Sequence, residues 1–165
     1  MKIVTAFLLL FFIHSASGQY TTVKFDKVIM YDFKAESEGE DIYIVNAKGV
    51  LAKNIAKQIE LTKQDVRSLN SKVENKKSYG EATAPCFNPH LGLVYYLKDK
   101  IVAHITVSLE CNRLHSSIEI AAQKQGKVSI STDIYYTGTG LSKSFKAFIN
   151  SLLHKYNFSH QLNNP

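Results

Sequence analysis

Both cysteines of the chain, Cys86 and Cys111, are followed four positions later by a histidine, His90 and His115. Two C-x3-H pairs make a Cys2His2 set, a donor group that zinc accepts in tetrahedral geometry. Here the pairs stand at the ends of a predicted hairpin rather than on the knuckles and helix ends that structural zinc sites use. A thiol nucleophile is a second chemistry: Cys86 with His90 or His104, oriented by Asn88 or Asn112, spells a Cys-His-Asn set. Such a thiol needs a helix N-terminus or a nearby cation to lower its pKa. Neither a strand-turn-helix elbow nor a glycine-rich oxyanion segment surrounds Cys86.

A disulfide is the third. A two-residue loop at Lys98-Asp99 pairs Leu97 with Lys100, and the same register, carried on, sets Cys86 opposite Cys111. Opposed antiparallel neighbours lie ~4.5 to 5.5 Å apart at Cα, within disulfide reach. That ladder would run about 12 residues, longer than the usual 5 to 6. It would also pass Pro89, so a bulge or break is expected in it. Two free buried thiols are the fourth reading. Compartment and spacing place the disulfide first, then the buried thiols, then zinc on Cys86, His90, Cys111 and His115, then the catalytic thiol.

The compartment is read from the opening, MKIVTAFLLLFFIHSASG. Lys2 precedes an apolar run from Ile3 to Ile13, and Ala16-Ser17-Gly18 closes it with small residues. That is the order of a cleaved secretory signal over residues 1–18, with the cut expected after Gly18. A run of about 11 residues is too short to span a bilayer, and no transmembrane segment is expected after cleavage. The chain is therefore expected to be secreted or periplasmic, where disulfides persist. Residues 19–165 hold no repeat and only three prolines, Pro85, Pro89 and Pro165. One α+β domain with a core of its own is the expectation.

The formal net charge is +6, from 20 Lys and Arg against 14 Asp and Glu. Much of the excess falls between Lys48 and Lys77. A solvated lysine-rich face is the simpler reading; as an interface it would suit a protein or an anionic polysaccharide of the envelope. No RNP-like strand, zinc finger or helix-turn-helix pattern points to nucleic acid.

The elements that position the cysteines follow from periodicity. TVKFDKVIMYDF, residues 22–33, reads as a strand, AESEGED as an acidic turn, and DIYIVN, residues 41–46, as a second strand. Residues 50–61 fit helix or strand. Thr62 and Asp65 read as an N-cap with an acidic third position, opening a helix over about 63–75. Leu91–Leu97 and Ile101–Leu109 alternate as a hairpin, with Ile101, Ala103, Ile105, Val107 and Leu109 on one face. Short strands are predicted at 116–121 and 127–136. Ser142 then caps LSKSFKAFINSLLHKY, whose wide apolar stripe is expected to dock on the sheet. The class is α+β: a mostly antiparallel sheet with about two helices packed on one face. Asn157-Phe158-Ser159 is a glycosylation sequon in a eukaryotic host.

The stretch CFNPHLGLVYY…KIVAHITVSLECN resembles a family of small, uncharacterised secreted or envelope bacterial proteins. They share a Cys-Phe-x-Pro-His turn, an aromatic strand, a hairpin and a second strand ending in Cys-Asn. The likeness covers about residues 60–150 and centres on 84–112. In similar chains a further cysteine is expected where Ser108 stands, so only Cys111 of that C-x2-C pair is present here. The resemblance implies export and fold, and no reaction. The functional expectation is a non-enzymatic binding module with a disulfide-tied hairpin and no cofactor. The alternative is a metal- or thiol-dependent activity on Cys86, His90, Cys111 and His115, with zinc as the metal.

Overall fold

The computed structural model describes residues 22–35, 42–130 and 133–161. The expected signal segment and most of the acidic turn, residues 36–41, lie outside the described residues. The elements run β1 (Lys27–Phe33), β2 (Ile55–Glu60), α1 (Lys63–Val73), β3 (Tyr79–Glu81), β4 (Leu91–Leu97), β5 (Lys100–Ser108) and β6 (Arg113–Ser116). They continue with β7 (Gly126–Ile130), β8 (Asp133–Thr137), β9 (Gly140–Leu141) and α2 (Lys143–Lys155). Seven strands form one sheet in the order β2-β1-β4-β5-β6-β8-β7, and β3 pairs with β9 apart from it. All these pairings are antiparallel. The α+β class expected from the sequence is the class observed.

Both helices start where their caps predict. The Thr62 hydroxyl accepts from the Asp65 amide at 3.2 Å, and the Ser142 hydroxyl from the Phe145 amide at 3.3 Å, each satisfying one orphan donor of a first turn. Their apolar stripes then close over one face of the sheet. Leu69, Val73, Phe145, Ile149, Leu152 and Leu153 pack on Val28, Met30, Leu93, Tyr95, Ile105 and Val107. The helices are also joined to each other at Asp65, where Lys155 Nζ donates at 2.7 Å and Tyr156 OH at 2.5 Å. Burial works against the charged carboxylate, but Lys155, Thr62 and Tyr156 together hold Asp65 down at about 2.

The opposite face departs from expectation. Among the described residues 42–46 the strand predicted at 41–46 does not form; an isolated bridge joins Val45 to Leu51. Instead Ile44, Val45 and Ala52 cover Tyr31, Phe33, Val94 and Tyr96. β4 is consequently buried on both faces along nearly its whole length. The room comes from Gly92, where an added Cβ would stand 2.6 Å from the Ile44 Cβ. Ile44 is seated there by its amide, which donates to Thr106 Oγ1 at 3.2 Å.

The β4–β5 hairpin has the predicted two-residue loop. Lys98 and Asp99 both take positive φ, 49° and 62°, the twist that matches a two-residue hairpin turn. Leu97 pairs with Lys100 and Tyr96 with Ile101, and then Tyr95 pairs with Ala103. Val102 is therefore the extra residue of a bulge. The bulge turns Ile101 to the Tyr96 side, whereas Ala103, Ile105 and Val107 face the helices. The single face expected for all of them is broken at that point. Residues 50–61, ambiguous in sequence, supply β2. The strand predicted at 116–121 lies earlier, as β6, and the one predicted at 127–136 is two strands, β7 and β8.

Candidate functional site

Cys86 and Cys111 are joined in a disulfide, with Cα atoms 5.5 Å apart. The hairpin register names the right partners, but the structure brings them together by another route. The β4–β5 ladder ends at Leu91 and Val107. Cys111 lies beyond it, in the turn 109–112 that leads into β6. Cys86 lies in the irregular segment before β4. The Ala84 amide donates to the Cys111 carbonyl at 2.9 Å, and Arg113 Nε donates to the Ala84 carbonyl at 2.8 Å. Ser108, fully buried, both accepts from the Asn88 amide and donates to the Asn88 carbonyl. Asn112, at φ 50°, accepts from the Leu141 amide and donates to the Ala82 carbonyl. These bonds hold the cystine in place from both sides.

The Cys2His2 expectation is corrected by the same geometry. Both sulfurs are spent on each other, so neither is a thiolate ligand or nucleophile. The two histidines go elsewhere. His115 on β6 stands opposite Thr106 and lies on the Phe87 ring at 4.3 Å, with Nδ1 3.4 Å from the Tyr43 hydroxyl. Burial, helped by the Arg113 charge, pushes its imidazole down to about 4. Its Nε2 is buried without a hydrogen-bond partner. His90 instead stacks on His160, with ring centroids 4.0 Å apart and planes within 5°. Asn112 holds backbone and orients no catalytic group. Among the described residues no group of three or more Cys, His, Asp or Glu is placed to hold a metal.

A different constellation forms where α2 ends against β1. Asp32 is 1% exposed. It sits between Tyr31 and Phe33, after the apolar run Val28–Met30, and that placement is the one sequence signal that marks it. Its Oδ1 accepts from His160 Nδ1 at 2.8 Å, and its Oδ2 from the Ser159 amide at 3.2 Å and the Ser159 hydroxyl. Burial works to raise this carboxyl, but the Ser159 and His160 bonds hold it below the ordinary value. The C-terminal segment so anchored closes one side of a cavity of about 180 Å³. Leu91, Val107, Leu153 and Phe158 give it an apolar lining, and Asp32, His90, Glu110, Ser159, His160 and Gln161 are its polar groups. His90 Nδ1 is buried and has no hydrogen-bond partner. Burial, and then the neighbouring His160, lower the His90 pKa.

The basic residues between 48 and 77 do not gather on one surface. Lys48 and Lys53 belong to the segment crossing one face of the sheet, and Lys63 and Arg67 to α1 on the other. Lys57 is turned to the end of α2, where it donates to the Tyr156 and Asn157 carbonyls at 2.6 and 3.0 Å.

The disulfide fits an extracellular or periplasmic setting. Among the described residues no helix is long and apolar enough to cross a membrane. Comparison with family models, with curated proteins and with solved structures gave no match.

Proposed function

We propose that this chain is an exported, non-enzymatic binding module whose recognition site is the cavity between β1, the start of β4 and the end of α2. The observation that carries this reading is the cavity itself: about 180 Å³ walled by Leu91, Val107, Leu153 and Phe158, beside the stacked rings of His90 and His160. An apolar pocket with a few convergent polar groups is the usual form of a small-molecule site. Export rests on the leader-like residues 1–18, with release after Gly18, and on the disulfide. The non-enzymatic reading rests on the cystine. Both sulfurs of the chain are bonded to each other, which leaves neither as a thiol nucleophile.

The test is ligand-detected binding on the mature, oxidised chain. Small single-ring probes are expected to shift the His90 and His160 ring resonances in NMR spectra, and His90→Phe to weaken them. If no such probe perturbs either ring at millimolar concentration, the cavity is not a recognition site.

A further inference from the structure

The charges that line the cavity run against those of the whole chain. The protein carries 20 Lys and Arg against 14 Asp and Glu. Among the described residues, two carboxylates, Asp32 and Glu110, reach the cavity lining, and no lysine or arginine does. Asp32 is fully engaged by Ser159 and His160. Glu110 is not: it is exposed at the β5–β6 turn and makes no ion pair among the described residues. Its charge is felt at His90, which lines the same cavity. A carboxylate without an ion pair thus stands beside one apolar space.

We infer that this site takes a compact primary amine, its apolar body against Leu91, Val107, Leu153 and Phe158 and its ammonium at the Glu110 carboxylate. The inference rests on the reading of the cavity as a recognition site and adds the chemical class of its ligand. Size sets the upper bound. A cavity of ~150 Å³ holds a benzene ring, so about 180 Å³ takes one ring or a short branched chain with an aminomethyl arm. An ammonium brings three donors and no acceptor, and its charge complements the Glu110 carboxylate. A carboxylate ligand would meet Glu110 and Asp32 with like charge.

Benzylamine, benzyl alcohol and benzoate share one ring and differ in the group that decides the matter. Each is titrated into the mature oxidised chain at pH 7.5, by calorimetry and by the His90 and His160 ring resonances. Benzylamine is expected to bind about two- to fivefold more tightly than benzyl alcohol, the factor that one exposed ion pair supplies, and benzoate most weakly. Glu110→Gln is expected to bring benzylamine down to the affinity of the alcohol. Glu119→Gln, an exposed change away from the cavity, is expected to leave benzylamine affinity unaltered, and thermal unfolding checks that both variants fold. Alcohol binding as tightly as the amine, or benzoate binding more tightly, overturns the amine assignment while leaving the cavity a recognition site. If none of the three binds, the cavity reading itself falls.

Discussion

His160 Nδ1 lies 2.8 Å from Asp32 Oδ1, so the end of the described chain is fastened to its first strand. Together with the two Ser159 bonds, this makes one buried carboxylate the anchor of Ser159 and His160. Asp32→Asn keeps the shape and removes the charge that these donors need. It is expected to cost about 2 to 3 kcal/mol at pH 7, the range for hydrogen bonds to charged groups, and to speed amide exchange at Ser159. The cost has a pH signature. The carboxyl is lowered in the folded state, so its contribution is complete above the ordinary carboxyl range and fades as pH falls through the lowered value. In denaturant melts the gap between the two proteins should be narrower at pH 2.5 than at pH 7. A constant gap would mean that the charge is not what holds the segment.

The cystine joins a turn and an irregular segment that are also held by Ser108, Asn112 and Arg113. Those bonds survive its loss, so Cys86→Ser with Cys111→Ser should fold with unchanged circular dichroism and lose about 3 kcal/mol, the loop-closure estimate for a separation of 25 residues. The mature native chain should have a mass about 2 Da below its reduced form and resist alkylation until reduced. A double variant as stable as the parent would show that the cystine contributes nothing to the fold.

His115 gives an opposite test in the acid range. Its folded pKa is about 4, against an ordinary value of 6.5. Below pH 6.5 the unfolded chain takes up a proton that the folded chain refuses, so stability falls as the pH drops towards 4 and then levels. The loss from this one group is of order 3 kcal/mol. His115→Phe places an apolar ring beside Phe87 and removes the unpartnered Nε2. The variant should match or exceed the parent at pH 7 and hold more of that stability at pH 4.5. Parallel profiles from pH 7 to pH 4.5 would remove His115 as their cause.

The helices and the hairpin were legible because their signals are local. A hydroxyl cap before an apolar stripe, and two polar residues between alternating runs, need no distant partner. The cystine was half legible: hairpin register named Cys86 and Cys111 as partners, but Val102 bulges out and the ladder stops at Val107, so the bond forms beyond the strands. The covering of the second face was not legible. DIYIVN alternates like a strand, yet Ile44 is claimed by the gap over Gly92, a demand set by the sheet and invisible in the segment. The cavity was hidden for a similar reason, since Asp32, His90 and His160 are far apart in sequence and meet only once α2 has docked. The lone Asp between Tyr31 and Phe33 was its one visible trace.

Gly92 lies in a cross-strand row with Tyr31 and Thr106, and Ile44 occupies the space that a side chain there would need. Gly92→Ala puts a methyl into that space, colliding with Cγ1 of Ile44 and approaching its Cβ to 2.6 Å. Both sit in a branched, fully buried side chain that cannot swing away, so either the segment 42–54 lifts or β4 shifts. Overpacking of this kind costs about 1 to 3 kcal/mol. Ile44→Ala alone leaves a hole and costs about 2 to 5 kcal/mol. The two changes relieve each other, because the new methyl enters the space that the lost atoms vacate. The double variant should therefore be more stable than the sum of the single losses by more than about 1 kcal/mol, a coupling expected only of residues in contact. Urea melts of the four proteins in the cycle measure it. Additive losses would mean that Ile44 does not sit over Gly92, and that the second face of the sheet is covered in another way.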